Sequence, residues 1–138
     1  ADDGRYAEVA LGKDRLRGSY AYRSLMDAGA VVCFGSDWPV VTANPFLGMA
    51  AAVTGKTLAG EVWLPSESIT IEEALRAYTV NAAFAGMSED DLGTIEVGKL
   101  ADMVVLSRDI LDVPSDRIGE TRALTTIVGG RIVYEAGD

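Results

Sequence analysis

The chain has 138 residues, 49% apolar and 24% charged, with a net charge of −9 at pH 7. That is room for one modest domain that buries roughly two thirds of its unfolded surface, and too little for a complete (β/α)8 barrel, which needs at least about 200 residues. The apolar share argues against disorder, and the acidic surplus argues against nucleic acid and anionic membrane as partners, because either would repel the surface.

Histidine is absent. It is the commonest catalytic metal ligand, so a chain without it cannot build a conventional zinc hydrolase site unaided. Cys33 is the one cysteine and lies in the most apolar run, where a buried thiol behaves as a small hydrophobe. Without a second thiol no internal disulfide forms, and a reducing, cytoplasmic setting is the expectation. No apolar run approaches the ~18 residues of a membrane span, and the acidic N-terminus lacks the basic start of a signal peptide. Ala1-Asp2-Asp3-Gly4 reads as a cut edge.

Residues 5 to 18 mix charges with Gly12 and Gly18 and predict a loop with one helical turn. From Ser19 as N-cap a helix is expected, with Tyr22, Leu25 and Met26 on one face and Gly29 at its end. Ala30 to Phe34 are apolar without alternation, which predicts a short strand buried on both faces. It stops at Gly35 and sets Ser36 and Asp37 at its C-terminal end, where chemistry collects in parallel α/β sheets and barrels. Pro39 forbids further pairing, so Asp37 opens a loop. On spacing alone Asp37 is either a turn residue that caps backbone N–H groups or a reactive carboxylate. Trp38 either lines a substrate pocket or covers a core edge. Ser36 lacks the second glycine of a nucleophile elbow.

Asn44 predicts an N-cap with Pro45 at the first helical position, Phe46, Leu47, Met49, Ala50 and Val53 on the apolar side and Gly55 at the end. Residues 55 to 69 predict a loop. Thr70-Ile71-Glu72-Glu73 is a capping box, with Ile69 placed to staple Ala74, and its helix is expected to run through Leu75, Tyr78, Thr79 and Ala82 to Gly86. Glu72 and Arg76 suit an i,i+4 pair on its solvated face. Glu89-Asp90-Asp91 lacks the spacing of an EF-hand loop and reads as a solvated charge cluster. From Gly93 the period becomes that of strands. Gly98-Lys99 is a turn, Asp102 begins a strand over Met103 to Leu106, and residues 107 to 122 form a polar connection with a helical turn near Ser115 to Ile118. Leu124 to Val128 and Arg131 to Tyr134 flank Gly129-Gly130 as a primed-turn hairpin. So few strands cannot hide both faces of a sandwich layer.

Gly35-Ser36-Asp37-Trp38-Pro39-Val40 resembles the end of the eighth barrel strand in metal-dependent amidohydrolases, specifically the family 3 branch. Thr70 to Ala85, with Glu-Glu-Ala-Leu and Tyr-Thr-Val-Asn-Ala-Ala, resembles their last barrel-associated helix. Gly93 to Leu106 resembles the segment by which they re-enter a small β-sandwich. The similarity runs in order from Arg17 to Tyr134. It implies an α/β fold: a C-terminal piece of a (β/α)8 barrel, its last strand and flanking helices over 1–92, and part of a small β-sandwich domain over 93–138. Asp102 is typical of the family and structural.

The resemblance implies that Asp37 is a catalytic residue and a metal ligand, taking the proton from an attacking water, and makes Trp38 a substrate-binding candidate beside the loop from Thr57 to Ser68. In complete enzymes of this kind zinc or a similar divalent metal is held by a His-x-His pair, a lysine or equivalent bridging residue and two further histidines, none of which occurs here. The expected reaction is hydrolysis of a C–N bond in a small-molecule amide, cyclic amide or N-acyl compound. The chain alone is expected to hold no metal and to be inactive. The alternative is a non-catalytic folded module that self-associates through exposed strand edges into a homo-oligomer.

Overall fold

A computed structural model describes residues 4–57 and 59–137; of the expected cut edge at Ala1 to Gly4, the first three residues lie outside them. Where a loop is expected near the start, Gly4–Leu11 form a helix, α1, followed by a 3-10 helix over Lys13–Gly18. Tyr6 to Leu11 contain good helix formers, and Gly12, at φ +75°, ends the run with its N–H on Glu8 O at 2.9 Å.

The next helix, α2 (Tyr22–Asp27), begins three residues after the expected cap. Ser19 instead closes the 3-10 helix, donating its N–H to Leu16 O at 2.8 Å. Ala21, at the N-cap of α2, has no side-chain acceptor. Glu67 supplies one from a distant loop: its carboxylate accepts from Ser24 N at 2.9 Å and from Ser24 Oγ at 2.6 Å. An orphan N–H of the first turn is thus satisfied by tertiary structure.

Helix α3 (Pro45–Thr54) forms as its sequence dictates. The Asn44 side chain accepts from Phe46 N at 3.0 Å, Pro45 stands in the first turn, and Gly55 ends the helix at φ +64°. Helix α4 (Ile71–Tyr78) opens with the complete capping box: Thr70 Oγ1 accepts from Glu73 N at 3.2 Å, and Glu73 Oε2 accepts from Thr70 N at 2.8 Å. The expected single helix to Gly86 breaks at Thr79 and resumes as α5 (Val80–Ala85). Here the Ala77 carbonyl accepts from Phe34 N at 3.0 Å, and Thr79 Oγ1 donates back to Leu75 O at 2.7 Å. The helix acid that finds an arginine is Glu73, not Glu72. Arg23 reaches its two oxygens at 2.7 and 2.9 Å, because α2 docks at the start of α4, whereas Glu72 and Arg76 are solvated and gain little by pairing.

Phe46, Met49 and Ala52 of α3, Ile69, Ala74, Ile110 and Ile118 make the buried core. Ile110 and Ile118 bring the C-terminal stretch into the same cluster, through a 3-10 helix over Ser115–Glu120 whose Gly119 lies against Leu47. Beyond it β1 (Met103–Leu106), β2 (Ala123–Val128) and β3 (Arg131–Glu135) form an antiparallel sheet in that order. Gly129 and Gly130 turn the hairpin at φ +56° and +76°, the primed geometry expected of a Gly-Gly pair. Asp102 accepts from Gly129 N at 2.6 Å and is structural.

The strand expected over Ala30 to Phe34 is not part of any sheet. A strand needs ladder partners, and among the described residues this segment finds helices instead. Val32, Phe34 and Ser36 are half-buried, while Val31, Cys33 and Asp37 are exposed, so its residues alternate as in an extended chain with one covered face. Cys33 points to the open side and is not the buried thiol expected. The class is mixed α/β, with helices and a small antiparallel sheet. No helix among the described residues is long and apolar enough to cross a membrane.

Candidate active site

Two hydrogen bonds from the broken helix hold the segment that carries Asp37. Asn81 Nδ2 donates to Val32 O at 2.8 Å, and Phe34 N donates to Ala77 O at 3.0 Å. Fixing alternate residues fixes which way the segment's end emerges. Asp37 then takes φ +52°, a left-handed conformation that aspartate tolerates better than most side chains. Its carbonyl accepts from Val40 N at 2.8 Å, closing a turn in which the Trp38–Pro39 bond is cis. Ser36 Oγ donates to Ala43 O at 3.3 Å, so this hydroxyl is spent on the same loop.

Asp37 lines a cavity of about 240 Å³ between this loop, α2, α3 and the loop before α4. Its inner wall is aromatic. Tyr20 packs on Trp63 with ring centres 5.0 Å apart and on Tyr22 at 6.1 Å; Tyr22 meets Phe34 at 4.9 Å, and Phe34 meets Tyr78 at 5.4 Å. All four contacts are edge-to-face, the arrangement that ring quadrupoles favour.

Three charged residues, Asp37, Lys56 and Glu67, are among those that line this cavity. The Ser24 hydroxyl, and then its N–H, hold the Glu67 carboxyl below the usual glutamate range, so it is ionised and already engaged. Burial pushes the Tyr78 phenol up, which keeps it a neutral donor at ordinary pH. Among the described residues the Asp37 carboxylate has no hydrogen-bond partner, and the residue is exposed. A solvated carboxylate at the end of a rigidly held segment can accept a proton from water or offer one oxygen ligand to a cation.

Trp38, the other residue singled out from the sequence, is 71% exposed and stands outside the cavity wall. The indole in the wall is Trp63, from the loop between Thr57 and Ser68. Tyr20 and Tyr22 carry no warning of this role, since Trp63 and Tyr78 lie some 40 to 60 positions further along the chain.

The described residues do not make a metal centre. No group of three or more histidine, cysteine, aspartate or glutamate side chains among them stands together, and catalytic zinc takes three protein ligands. Asp37 supplies a single carboxylate, so no step through a metal follows from this chain's own residues.

A sequence profile described as the amidohydrolase family matches residues 1–134. An N-substituted formamide deformylase of Arthrobacter pascens is 40% identical over 116 residues, 84% of this chain and 21% of that protein. The protein LONG AFTER FAR-RED 3 of Arabidopsis thaliana is 37% identical over 135 residues, 96% of this chain and 23% of its own length. An imidazolonepropionase of Porphyromonas gingivalis is 36% identical over 120 residues, 86% of this chain and 26% of its own. The crystal structure of an amidohydrolase from Thermotoga maritima superposes with a TM-score of 0.66 at 24% identity, over 85% of this chain and 26% of that one, which shows a shared fold. The chain thus spans between a fifth and a quarter of the curated relatives first matched, 21% and 23% of their lengths.

Proposed function

Because the chain belongs to the amidohydrolase family, we propose that it is the C-terminal part of a metal-dependent hydrolase of non-peptide C–N bonds, in which Asp37 is the proton acceptor for the attacking water and one metal ligand. The observation that carries the reading is the unengaged Asp37 carboxylate, held at the mouth of a cavity by the tied segment before it. The relative named for N-substituted formamides supports a small amide as substrate. In this reading residues 1–92 end a (β/α)8 barrel, residues 93–138 contribute strands to a composite β-sandwich, and Trp38 is an outer contact for substrate on the exposed side of the turn.

The zinc or similar ion belongs to the full-length enzyme, with its histidines supplied from outside this sequence; when bound it lowers the pKa of water. The stretch of 138 residues is inactive alone in this reading. Asp37→Asn in the enzyme that contains it lowers kcat on an N-alkylformamide by about 10²- to 10⁴-fold, as loss of a general base does. Undiminished turnover overturns the role of Asp37. Zinc-loaded chain that hydrolyses the formamide, with its Asp37→Asn variant inert, overturns the inactivity of the piece.

One observation favours a second reading, a non-catalytic module that self-associates. Every residue of β3 is exposed, Ile132 and Val133 by 58% and 59%, and its outer edge has no partner strand among the described residues. Such an edge is a template for pairing with another copy. A stable, monodisperse oligomer in light scattering supports this reading, and a monomer that aggregates supports the bare fragment.

A further inference from the structure

The aromatic wall beside Asp37 exceeds what a carboxylate needs. Five rings, Tyr20, Tyr22, Phe34, Trp63 and Tyr78, form an unbroken chain of edge contacts along one side of the cavity. Of the charged groups nearby, Glu67 is bound to Ser24, while Lys56 and Asp37 are exposed. Lys56 and Asp37 carry opposite charges, so together they favour neither sign of guest, whereas a flat neutral ring would add further edge-to-face contacts to the wall. The size agrees: a cavity of roughly 150 Å³ accepts benzene, and about 240 Å³ leaves room for a ring with a small amide attached.

The wall has one hydroxyl with a special placement. Among the described residues Tyr78 Oη has no hydrogen-bond partner, and burial alone perturbs it. It lies directly over Gly48, where any Cβ would collide with it. Gly48 in the middle of α3 costs about 1 kcal/mol relative to alanine in helix propensity. Here that cost leaves the phenol standing clear at the cavity, as a neutral donor that lacks an acceptor.

We propose that this cavity is the specificity pocket for a neutral aromatic group of the substrate amide, and that the Tyr78 hydroxyl, cleared by Gly48, donates to the amide carbonyl and orients it. The inference rests on the hydrolytic reading of the Asp37 site and deepens it by naming the substrate class.

The test is titration of the purified protein with acetanilide, N-cyclohexylacetamide, N-methylacetamide and toluene, followed by NMR of the Tyr78 and Trp63 ring resonances. Acetanilide is expected to bind at least about tenfold more tightly than N-methylacetamide, with N-cyclohexylacetamide between them. Tyr78→Phe is expected to weaken acetanilide about fivefold, the share of one neutral hydrogen bond, and to leave toluene unchanged. Gly48→Ala is expected to weaken both, and the isosteric Tyr78→Phe keeps the test decisive if that variant misfolds. Acetanilide binding no tighter than N-methylacetamide overturns the aromatic seat, and equal losses for acetanilide and toluene in Tyr78→Phe overturn the orienting bond. If turnover by the enzyme that contains this chain dies with Asp37→Asn while acetanilide shows no preference, the pocket falls and the hydrolytic reading stands. If acetanilide is preferred while that enzyme turns over normally with Asp37→Asn, the hydrolytic reading falls and the aromatic seat stands.

Discussion

The helical region around α3 and α4 and the sheet of β1 to β3 are both rich in apolar residues, yet they end differently. In the first, Phe46, Met49, Ala74 and Ile118 are almost fully buried, because helix faces meet one another and the 3-10 helix closes over them. In the second, Val104 and Val105, neighbours that point to opposite faces of β1, stay 46% and 50% exposed. Apolar sequence buries itself only where a second layer is within reach. The helices carry their second layer in this chain, whereas the sheet reaches the core through Leu106 and leaves much of its apolar surface open.

The sharpest way to break that contrast is to open the helical core. Ile118 is 1% exposed and joins the C-terminal stretch to the core around α3 and α4. Ile118→Ala should cost about 2 to 5 kcal/mol, with the spread set by how far the site collapses. A urea melt measures it. A loss below about 1 kcal/mol would mean that this core is not the stabilising layer.

Next in size is the joint at the start of α4, where Thr70, Glu73 and Arg23 meet. Thr70→Ala should cost about 1 kcal/mol, the ordinary worth of an N-cap. The acids here also set a pH dependence. Glu73 is held below the usual range by the Thr70 N–H and then by Arg23, and Glu67 by Ser24. A carboxyl whose folded pKa is depressed contributes stability that is complete above its unfolded value, about 4.3, and is lost as pH falls through the folded value. Acid melts should therefore weaken steadily below about pH 4.3, and Glu73→Gln should flatten that slope.

Much of this was legible in the chain, and the limits fall at definite residues. Asn44, Pro45 and Gly55, the Thr70 to Glu73 box and the Gly129-Gly130 turn are local devices whose partners lie within four residues, so sequence alone specifies them. The family was legible too, from motifs in their order, and residues 1–134 match its profile. Other features depend on partners far along the chain. Ser19 looks like a cap, yet Glu67 does the capping of α2; the helix break at Thr79 reflects a bond to Phe34; the extended run from Ala30 finds helices where ladder partners are expected. The same limit hid the cavity wall. Asp37 was visible by motif, while the rings of Tyr20, Tyr22, Trp63 and Tyr78 converge only through tertiary packing.

The smallest expected effect discriminates best between the two regions. Val104→Thr replaces a methyl by a hydroxyl on a half-solvated strand, keeps β-branching, and removes no buried contact that the helical core relies on. In a monomer it should change stability by no more than about 0.5 kcal/mol. If a second copy covers the sheet, the hydroxyl is carried into a dry interface and the cost rises to about 1 to 3 kcal/mol. That larger cost would also grow with protein concentration, because a dimer's stability depends on protomer concentration. Melting Val104→Thr and the parent at two concentrations a hundredfold apart therefore reads the cover of the sheet directly. A small, concentration-independent difference leaves the sheet open, and a large one that tracks concentration places a partner on it.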